Sequence, residues 1–355
     1  MSMKELETTL TKNEIESKIQ EVPNRLLAWY YQNRRVLPWR EEVTPYRVWI
    51  SEIMLQQTRV SAVIPYYERF LSALPTLSDL AQADDDLLKK LWEGLGYYSR
   101  VRNLKAAAIK VMEEFGGELP GDFQLLQTLP GIGEYTAGAI GSIAFGLKVP
   151  VVDGNVFRVL SRVFASRIDI TKPQAKALFA RLATEMLPDA PGDFNQALME
   201  LGAMVCVPNG APMCEECPIK NLCASYHSEL SEILPIKSVK PPRAVQEYTV
   251  LVYCHDGKIL LQKRPEKGLL AGMWGFVMQE GIKEPQHFEM PVIPLGKAKH
   301  VFTHIEWHMV GYIVFSDDVP KDGVWVTPDE LFGKYAIPAA YRKYREAVRE
   351  NIGRI

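Results

Sequence analysis

The chain lacks long hydrophobic runs, has little net charge and contains few cysteines. No stretch reaches the about 20 apolar residues that cross a bilayer, and residues 1–20 are polar and charged, without the apolar region of a secretory signal. We therefore expect a cytoplasmic protein with reduced thiols and no membrane partner. The formal net charge of −2 neither predicts nor excludes nucleic-acid binding, because a basic face can be balanced elsewhere on the surface.

The few cysteines are concentrated in one segment. Four of the five follow the spacing Cys206-x7-Cys214-x2-Cys217-x5-Cys223. Thiolates this close together bind soft metal centres, which leaves an iron–sulfur cluster and zinc as alternatives. The fifth, Cys254, lies in an apolar run and is expected to be a buried core thiol.

Length and hydrophobic pattern together predict two domains. A chain of 355 residues suits about two domains of roughly 150 residues each. Apolar residues recur at helical spacing up to about residue 226, whereas β-rich segments dominate from residue 247. Prolines and lysines over residues 228–246 are typical of a linker. We predict a mostly α-helical domain over residues 1–227, the linker 228–246, and an α+β domain over residues 247–355.

Local signals predict the individual elements. Thr44-Pro45 is typical of an N-cap followed by proline in the first helical turn, which predicts a helix from there through Val60. Further helices are predicted near 82–93, 101–115, 134–144, 153–165, 172–186 and 337–350, and strands near 248–253, 259–262, 273–279, 300–315 and 323–327.

A glycine motif, Leu129-Pro130-Gly131-Ile132-Gly133, lies between two predicted helices. Its glycines allow a tight turn with backbone N–H groups pointing outward. The helix N-terminus that follows adds partial positive charge, so a DNA phosphate can bind there without a lysine. An ordinary turn between helices is the alternative interpretation.

Two carboxylates are candidates for chemistry. Asp153, in Val152-Asp153-Gly154-Asn155, precedes a predicted helix, where N–H groups can stabilise an anion beside a developing cation. The alternative for Asp153 is a simple N-cap. Glu52 lies among apolar residues, which would raise its pKa toward the range of a general acid. The alternative for Glu52 is a solvated residue on a helix surface.

Five motifs occur in one order along the chain. They are Ser51-Glu52-Ile53-Met54-Leu55-Gln56-Gln57-Thr58, Gly94-Leu95-Gly96-Tyr97-Tyr98-Ser99-Arg100, the Leu-Pro-Gly-Ile-Gly hairpin, Val-Asp-Gly-Asn and the cysteine loop. This order resembles the helix-hairpin-helix DNA glycosylases of the endonuclease III superfamily, and most closely the adenine DNA glycosylase family. The resemblance implies a [4Fe–4S] enzyme that removes adenine mispaired with 8-oxoguanine or guanine in double-stranded DNA, and we expect it to be a monomer.

The resemblance also implies roles for residues of the active site. Superfamily members that cleave the DNA backbone have a lysine at the hairpin, where this chain has Tyr135, so a monofunctional enzyme without strong lyase activity is predicted. Glu52 would protonate adenine, and Asp153 would stabilise the sugar cation. Asn155 and Tyr135 would orient Asp153.

Binding residues follow from the same resemblance. The extrahelical adenine would lie against Trp39, Arg40 and Gln196. Further residues are expected to contact DNA or fill the gap in the base stack: Leu55, Gln57, Thr58, Leu95, Tyr97, Gly131 and Gly133. Core packing is the alternative for Trp39 and Tyr97.

The C-terminal domain resembles the Nudix fold but lacks its catalytic sequence. No Gly-x5-Glu-x7-Arg-Glu-x2-Glu-Glu-x-Gly run is present to bind Mg²⁺, so pyrophosphatase activity is not expected. Instead, Phe302-Thr303-His304 resembles the loop by which adenine glycosylases recognise 8-oxoguanine, with threonine where the family more often has serine. An ordinary β-hairpin turn is the alternative.

The cysteine loop differs from the family pattern in one respect. The first gap is x7, whereas that of the family is usually x6, and zinc remains the alternative to a [4Fe–4S] cluster at Cys206, Cys214, Cys217 and Cys223. A thymine- or pyrimidine-directed glycosylase of the same superfamily, or a mismatch-binding protein without catalysis, is the alternative function.

Overall fold

The computed structural model describes residues 9–351 except 209, 227, 240 and 316–321. The helices are α1 (Lys12–Asn33), α2 (Pro38–Glu41), α3 (Pro45–Leu55), α4 (Val60–Ala73), α5 (Leu77–Gln82), α6 (Asp85–Leu91), α7 (Ser99–Glu114), α8 (Phe123–Gln127), α9 (Glu134–Phe145), α10 (Gly154–Val163), α11 (Pro173–Glu185), α12 (Pro191–Met204), α13 (Leu230–Ile233), α14 (Pro328–Gly333) and α15 (Arg342–Glu350). The strands are β1 (Ala244–His255), β2 (Lys258–Lys263), β3 (Trp274–Gly275), β4 (Val277–Glu280), β5 (Val292–Val301), β6 (Ile305–Phe315) and β7 (Val324–Val326).

The described residues form two compact units. The first contains the chain up to Gln82 together with Asn103–Val239, and the second contains Ala83–Arg102 together with the chain after Lys240. No helix of the described ranges combines the length and the apolarity that a bilayer crossing requires.

The first unit is built on a helical core. Apolar residues of α1, α10, α11 and α12 form one buried cluster, in which Leu26, Leu160, Phe179 and Phe194 are fully buried. Helix α9 contacts both α3 and α12. Its middle is rich in small residues, so that these neighbouring helices approach closely. This packing places the end of α3, the start of α9 and the start of α10 around one cavity.

The predicted helix through Val60 is wrong at its end, because α3 stops at Leu55. Gln57 adopts a left-handed conformation with φ of +58°, which interrupts the helix before α4 begins at Val60. The proline signal for its start is confirmed, since Thr44 is the N-cap and its side chain accepts a hydrogen bond from Arg47 N. Helices near 134–144, 153–165 and 172–186 are confirmed as α9, α10 and α11.

The second unit contains a mixed sheet with the strand order β3-β2-β1-β6-β5, to which β4 adds at β1 and β7 at β2. The central strands β1 and β6 are parallel, with register from Ala244↔Ile305 to Cys254↔Phe315. Buried clusters cover both faces of this sheet. Cys254 is 1% exposed, which confirms the expectation of a core thiol. The predicted fold class, helical and then α+β, is confirmed.

Residues 83–102 pack in the second unit, although their sequence pattern is helical like that of the N-terminal half. Glu93 accepts hydrogen bonds from Arg345 Nη1 at 2.6 Å and from the backbone N–H of Ile337 at 3.1 Å. Lys90 pairs with Glu93 at 2.8 Å and also donates to the carbonyl of Phe332. A hydrophobic pattern marks a buried face but not its distant partner, so these contacts could not be predicted from the sequence.

Candidate active site

A cavity of about 180 Å³ in the first unit collects most of the predicted catalytic and base-binding residues. Its wall includes both candidate carboxylates, Glu52 and Asp153. The other predicted residues in this wall are Trp39, Arg40, Leu55, Thr58, Tyr135, Asn155 and Gln196. Residues separated by more than 150 positions are thus brought together by the packing of α2, α3, α9, α10 and α12.

Glu52 is a buried carboxyl on α3, with 6% of its surface exposed. Tyr135 donates a hydrogen bond from its hydroxyl to Glu52 Oε2 at 2.7 Å. Burial raises the pKa of Glu52 to about 7, with the hydrogen bond from Tyr135 opposing this effect and the nearby Asp153 adding to it. The group can therefore be protonated near neutral pH.

Asp153 is the N-cap of α10, which confirms the N-cap interpretation. It also lines the cavity, so both interpretations apply to this residue. Its Oδ1 accepts from the backbone N–H groups of Asn155 and Val156, each at 2.8 Å, and its Oδ2 accepts from Asn155 Nδ2 at 2.7 Å. Burial raises the pKa of Asp153 above its usual value, while these hydrogen bonds favour the ionised form.

The predicted partner of Tyr135 is wrong. Sequence reasoning placed Tyr135 with Asn155 as residues that orient Asp153, whereas the Tyr135 hydroxyl donates to Glu52. The reason is that Tyr135 lies in the first turn of α9, which packs against α3, the helix that carries Glu52. Asn155 does bind Asp153 as expected.

The base-binding wall contains a charged group that sequence reasoning missed. Glu200 of α12 binds Arg35 and Arg40, and Arg40 Nε donates to Gln196 Oε1 at 3.0 Å. Trp39 is 6% exposed and packs edge-on against Tyr67, so the core-packing alternative and the cavity position both apply to it. The available signal was a glutamate one helical turn after Gln196, in a second half of α12 that is otherwise apolar.

Asn155 is supported by two further residues that were missed. Arg158 Nη2 donates to Asn155 Oδ1 at 2.8 Å, and Arg158 Nε donates to the carbonyl of Cys206 at 2.7 Å. Gly202 allows Asn155 to lie against α12, because a Cβ at 202 would be 2.6 Å from Asn155 Cβ. An arginine in the apolar pattern of α10 was the one visible signal.

The glycine hairpin borders a second, more open cavity of about 590 Å³. Gly131, Gly133, Gln57, Tyr135 and Asp153 are among its lining residues. Gly131 has a φ of +77°, and helix α9 begins after Gly133 without a side-chain cap. Its first N–H groups therefore have no side chain as their acceptor at the N-cap, as an anion-binding turn requires.

The remaining predicted DNA-contacting residues lie in the second unit. Leu95 is buried at 7% exposure, in contrast to the expected role as a residue that probes the base stack. Tyr97 is 46% exposed with φ of +48°, so core packing is excluded for it. Its hydroxyl lies 3.3 Å from the Thr303 hydroxyl.

The segment Phe302-Thr303-His304 joins β5 to β6, and Phe302 N donates to Ile305 O at 2.8 Å. Phe302 packs edge-on against His300 and Trp307, whereas Thr303 and His304 are exposed. The backbone of this segment is therefore a β-hairpin turn, as the alternative interpretation predicted. The turn presents the polar side chains of Thr303 and His304 to solvent.

The four clustered cysteines line one small, mainly apolar cavity beside α10 and α12. Arg162 Nη1 donates to Cys206 Sγ at 3.1 Å. Burial raises the pKa of Cys217 to about 12 and that of Cys223 to about 11, and the neighbouring thiols add to this effect. Four partly buried thiols on one cavity fit a cationic metal centre, because such a centre keeps thiolates deprotonated.

The first cysteine gap contains exposed residues on either side of position 209. Pro208 and Gly210 are exposed, Gly210 has a φ of +82°, and Met213 N donates to Val205 O at 3.0 Å to close the loop. Asn209 lies outside the described residues. Within the described chain, no group of three or more His, Cys, Asp or Glu side chains has the geometry to hold a single metal ion.

Known proteins match both halves of the chain. Residues 50–185 match the family described as HhH-GPD superfamily base excision DNA repair protein, and residues 248–347 match the NUDIX domain. The adenine DNA glycosylase of Mus musculus is 39% identical, over 90% of this chain and 76% of the relative. That of Homo sapiens is 37% identical, over 90% of this chain and 72% of the relative.

Solved structures resemble the helical part. A thermostable thymine-DNA glycosylase aligns with a TM-score of 0.54 and 30% identity, over 61% of this chain and 98% of that chain. A non-covalent complex of endonuclease III with DNA aligns with a TM-score of 0.51 and 22% identity, over 61% of this chain and 97% of that chain, which shows the fold. From the identity and the length of the matched sequence, the chain belongs to the adenine DNA glycosylase family, and it is a DNA glycosylase of base excision repair.

Proposed function

We propose that this protein hydrolyses the N-glycosidic bond of adenine paired with 8-oxoguanine or guanine in duplex DNA and leaves an abasic site. One observation carries the proposal: a buried carboxyl with a pKa near 7, Glu52, and a hydrogen-bonded carboxylate, Asp153, line the same cavity. Relatives named adenine DNA glycosylase support adenine as the base.

Glu52 acts as the general acid. Adenine leaves poorly as an anion, so a proton delivered to a ring nitrogen lowers the barrier to breaking the bond to the sugar. Such a contribution is typically worth about 10²–10⁴ in rate. The hydrogen bond from Tyr135 holds one oxygen of Glu52, which leaves the other to carry the proton.

Asp153 stabilises the cation that develops on the sugar. Two backbone N–H groups at the start of α10 and the amide of Asn155 hold its oxygens in place before the reaction. A fixed charge of this kind needs no reorganisation when the transition state forms, and key groups contribute on the order of 3–4 kcal/mol.

The cavity receives a base that has been flipped out of the duplex, at a cost of a few kcal/mol. Trp39, Arg40 and Gln196 would contact it. Leu55, Gln57 and Thr58 at the end of α3 would support the gap in the stack. For the second unit, Leu95 and Tyr97 are the proposed DNA contacts. Leu95 is buried and would have to move to enter the base stack, whereas Tyr97 is already exposed.

The exposed hairpin Phe302-Thr303-His304 would recognise the base opposite adenine. Thr303 offers a hydroxyl that can hydrogen-bond to 8-oxoguanine, and Tyr97 lies within 3.3 Å of that hydroxyl. DNA phosphates would bind at Gly131 and Gly133, before the start of α9.

A [4Fe–4S] cluster would be held by Cys206, Cys214, Cys217 and Cys223. The cluster would supply structural and electrostatic support, since glycosidic hydrolysis transfers no electron. Arg162 would orient the Cys206 thiolate through its hydrogen bond. As-isolated protein should absorb visible light, and a colourless, zinc-containing sample would contradict the cluster.

A single-turnover assay tests the proposed reaction against its alternatives. Duplexes with adenine opposite 8-oxoguanine should lose adenine, and duplexes with thymine opposite guanine should remain intact. Removal of thymine would favour the pyrimidine-directed alternative, and tight binding without removal of either base would favour a mismatch-binding protein.

Borohydride trapping tests the absence of strong lyase activity. The hairpin position of the Schiff-base lysine is occupied by Tyr135, which cannot form that intermediate. We expect little covalent enzyme–DNA product after reduction, compared with a bifunctional glycosylase run in parallel. An abundant covalent product would refute a monofunctional enzyme.

A further inference from the structure

Glu200 lies beneath two arginines in the wall of the catalytic cavity and is 1% exposed. Arg35 donates to Glu200 from its backbone N at 3.0 Å, from Nε at 2.8 Å and from Nη2 at 2.7 Å. Arg40 donates from Nη1 at 3.2 Å and from Nη2 at 3.0 Å. Burial opposes ionisation of Glu200, but the hydrogen bonds from Arg35 and Arg40 outweigh it and lower the pKa to about 2.

These contacts hold the guanidinium of Arg40 in one position, and Arg40 in turn sets the orientation of the Gln196 amide. The two terminal nitrogens of Arg40 are bound to Glu200, and Nη1 also donates to the carbonyl of Arg35 at 3.1 Å. The third nitrogen, Nε, donates to Gln196 Oε1 at 3.0 Å. Because a guanidinium can only donate, the Gln196 amide must present its oxygen to Arg40, and a flipped amide would place two donors together.

A fixed amide can select the base. Oε1 of Gln196 keeps a second lone pair beside the one that Arg40 occupies, so it can accept a hydrogen bond from the N6 amine of adenine. Hypoxanthine carries an oxygen in place of the N6 amine. It would therefore place an acceptor against Oε1.

The same carboxylate balances charge near Glu52. The ionisable groups that line the cavity together with Glu52 are Tyr135 from α9, Asp153 at the start of α10, Arg35 and Arg40 from the segment before α3, and Glu200 from α12. Arg40 already favours ionised Glu52. Without the charge of Glu200, two guanidiniums in this wall would lack their counter-ion and would favour that form further.

We propose that Glu200 is a positioning residue for the excision reaction. It sets the orientation of the Gln196 amide through Arg40, and its negative charge offsets positive charge that would otherwise favour loss of the proton from Glu52. This inference rests on the proposed function, because it assumes adenine as the base and Glu52 as the acid. Glu200 acts through Arg40 and does not itself contact the base.

The test measures single-turnover rates across pH for the full-length protein, with adenine or hypoxanthine opposite 8-oxoguanine. Glu200→Gln should move the midpoint of the alkaline loss of rate to lower pH by on the order of one unit. It should also slow adenine removal roughly tenfold or more and reduce the preference for adenine over hypoxanthine. Arg35→Gln removes one positive charge, so its midpoint should move to higher pH.

A matched control is Glu185→Gln, which removes a carboxylate of α11 that pairs with Arg181 outside this cavity. This variant should keep the wild-type midpoint and base preference. Opposite shifts in Glu200→Gln and Arg35→Gln would separate an electrostatic role from a general folding defect, and Arg35→Gln remains informative if Glu200→Gln does not fold.

The inference is overturned if folded Glu200→Gln keeps either the wild-type midpoint or the wild-type preference for adenine. It is equally overturned if Arg35→Gln, the variant available should Glu200→Gln fail to fold, does not shift its midpoint upward. Failure of the wild-type protein to remove adenine would instead refute the proposed function, so the two failures are distinguishable.

Discussion

Glu52 and Asp153 are two carboxyls of one cavity whose surroundings differ in kind. Glu52 accepts a hydrogen bond from the neutral hydroxyl of Tyr135, and its neighbours along α3 are mainly apolar. Asp153 receives three hydrogen bonds at a helix N-terminus. Burial raises the pKa of both, but only Asp153 has donors that strongly favour its anion. Their environments thus allow Glu52 to be protonated and Asp153 to be ionised in the same pH range.

The pH dependence of excision follows from this difference. The rate should fall as pH rises through about 7, because Glu52 then loses the proton that it must donate. It should also fall in acid, at a pH above the usual aspartate range, as Asp153 becomes protonated. Single-turnover rates from pH 9 down into the acid range in which the protein stays folded measure both limbs. In Glu52→Gln the rate should drop about 10²–10⁴-fold and the alkaline limb should disappear, and a retained limb would assign it to another group.

Glu52 should also make stability depend on pH. Its pKa is raised in the folded state, so its favourable contribution is complete below about pH 4.5 and is lost as pH rises through about 7. Urea denaturation at pH 5 and pH 8 should show Glu52→Gln gaining stability relative to wild type at the higher pH, by up to about 3 kcal/mol. An equal difference at both pH values would mean that Glu52 is not protonated in the folded protein at pH 5.

Asp153→Asn tests the cation-stabilising role. The amide keeps the shape of the residue but removes the negative charge, so excision should slow by about 10²–10³-fold. The affinity for duplex containing the mispair should change much less, because Asp153 contributes to the transition state rather than to DNA contacts. Rates under single turnover, compared with binding by fluorescence anisotropy, separate the two effects. Near-normal excision would remove Asp153 from the mechanism.

Individual residues differed in how far the sequence could predict them. Glu52, Asp153 and Asn155 were identifiable because each lies in a local motif with a chemical reason for its residue type. Glu200 and Arg158 were missed, since their function depends on partners many positions away. The hydroxyl of Tyr135 was given the wrong partner for the same reason: a motif fixes its position on α9 but not the helix that it faces.

At the level of elements, the glycine hairpin makes the sharpest prediction. Gly131 has a φ of +77°, and a Cβ there would lie 2.7 Å from Asn103 Cβ, whereas a Cβ at Gly133 would meet nothing within 4 Å. Gly131→Ala should therefore lower the free energy of unfolding by about 1–3 kcal/mol and weaken duplex binding. Gly133→Ala is the matched control and should change stability by less than about 1 kcal/mol. Similar urea midpoints for the two variants would contradict this conformational requirement.

The elements that the sequence predicted well carry strong local signals. Helix α10 has clear apolar spacing and an aspartate N-cap, and α9 lies between Gly133 and the left-handed Gly146. Helix α11 begins with a proline, and the start of α3 was marked by Thr44 and a proline. Its end was not, because the left-handed Gln57 has no signal of its own. Strand β5 was largely missed because it pairs with β6 alone and exposes many side chains, which weakens the apolar alternation.

For the whole molecule, residues 83–102 belong to the same unit as the C-terminal sheet, so truncation of the sheet should loosen them. Glu93 binds Arg345 and the backbone of Ile337, and Lys90 binds the carbonyl of Phe332, so removal of the chain after residue 239 deletes every one of these partners. The truncated protein should retain the helical core of the first unit and remove adenine opposite guanine. Hydrogen exchange should increase over residues 83–102 and stay unchanged in α10 and α12.

Loss of the hairpin 302–304 in the same truncation should reduce the preference for 8-oxoguanine over guanine as the opposite base. A point variant separates this effect from loosening of residues 83–102: Arg345→Met removes the ion pair with Glu93 at 2.6 Å while the hairpin remains. It should increase exchange over residues 83–102 with a smaller loss of preference. If truncation left exchange over 83–102 unchanged, the contacts of Glu93 and Lys90 would contribute nothing to the order of that segment, and the helical domain would be independent as its sequence pattern predicted.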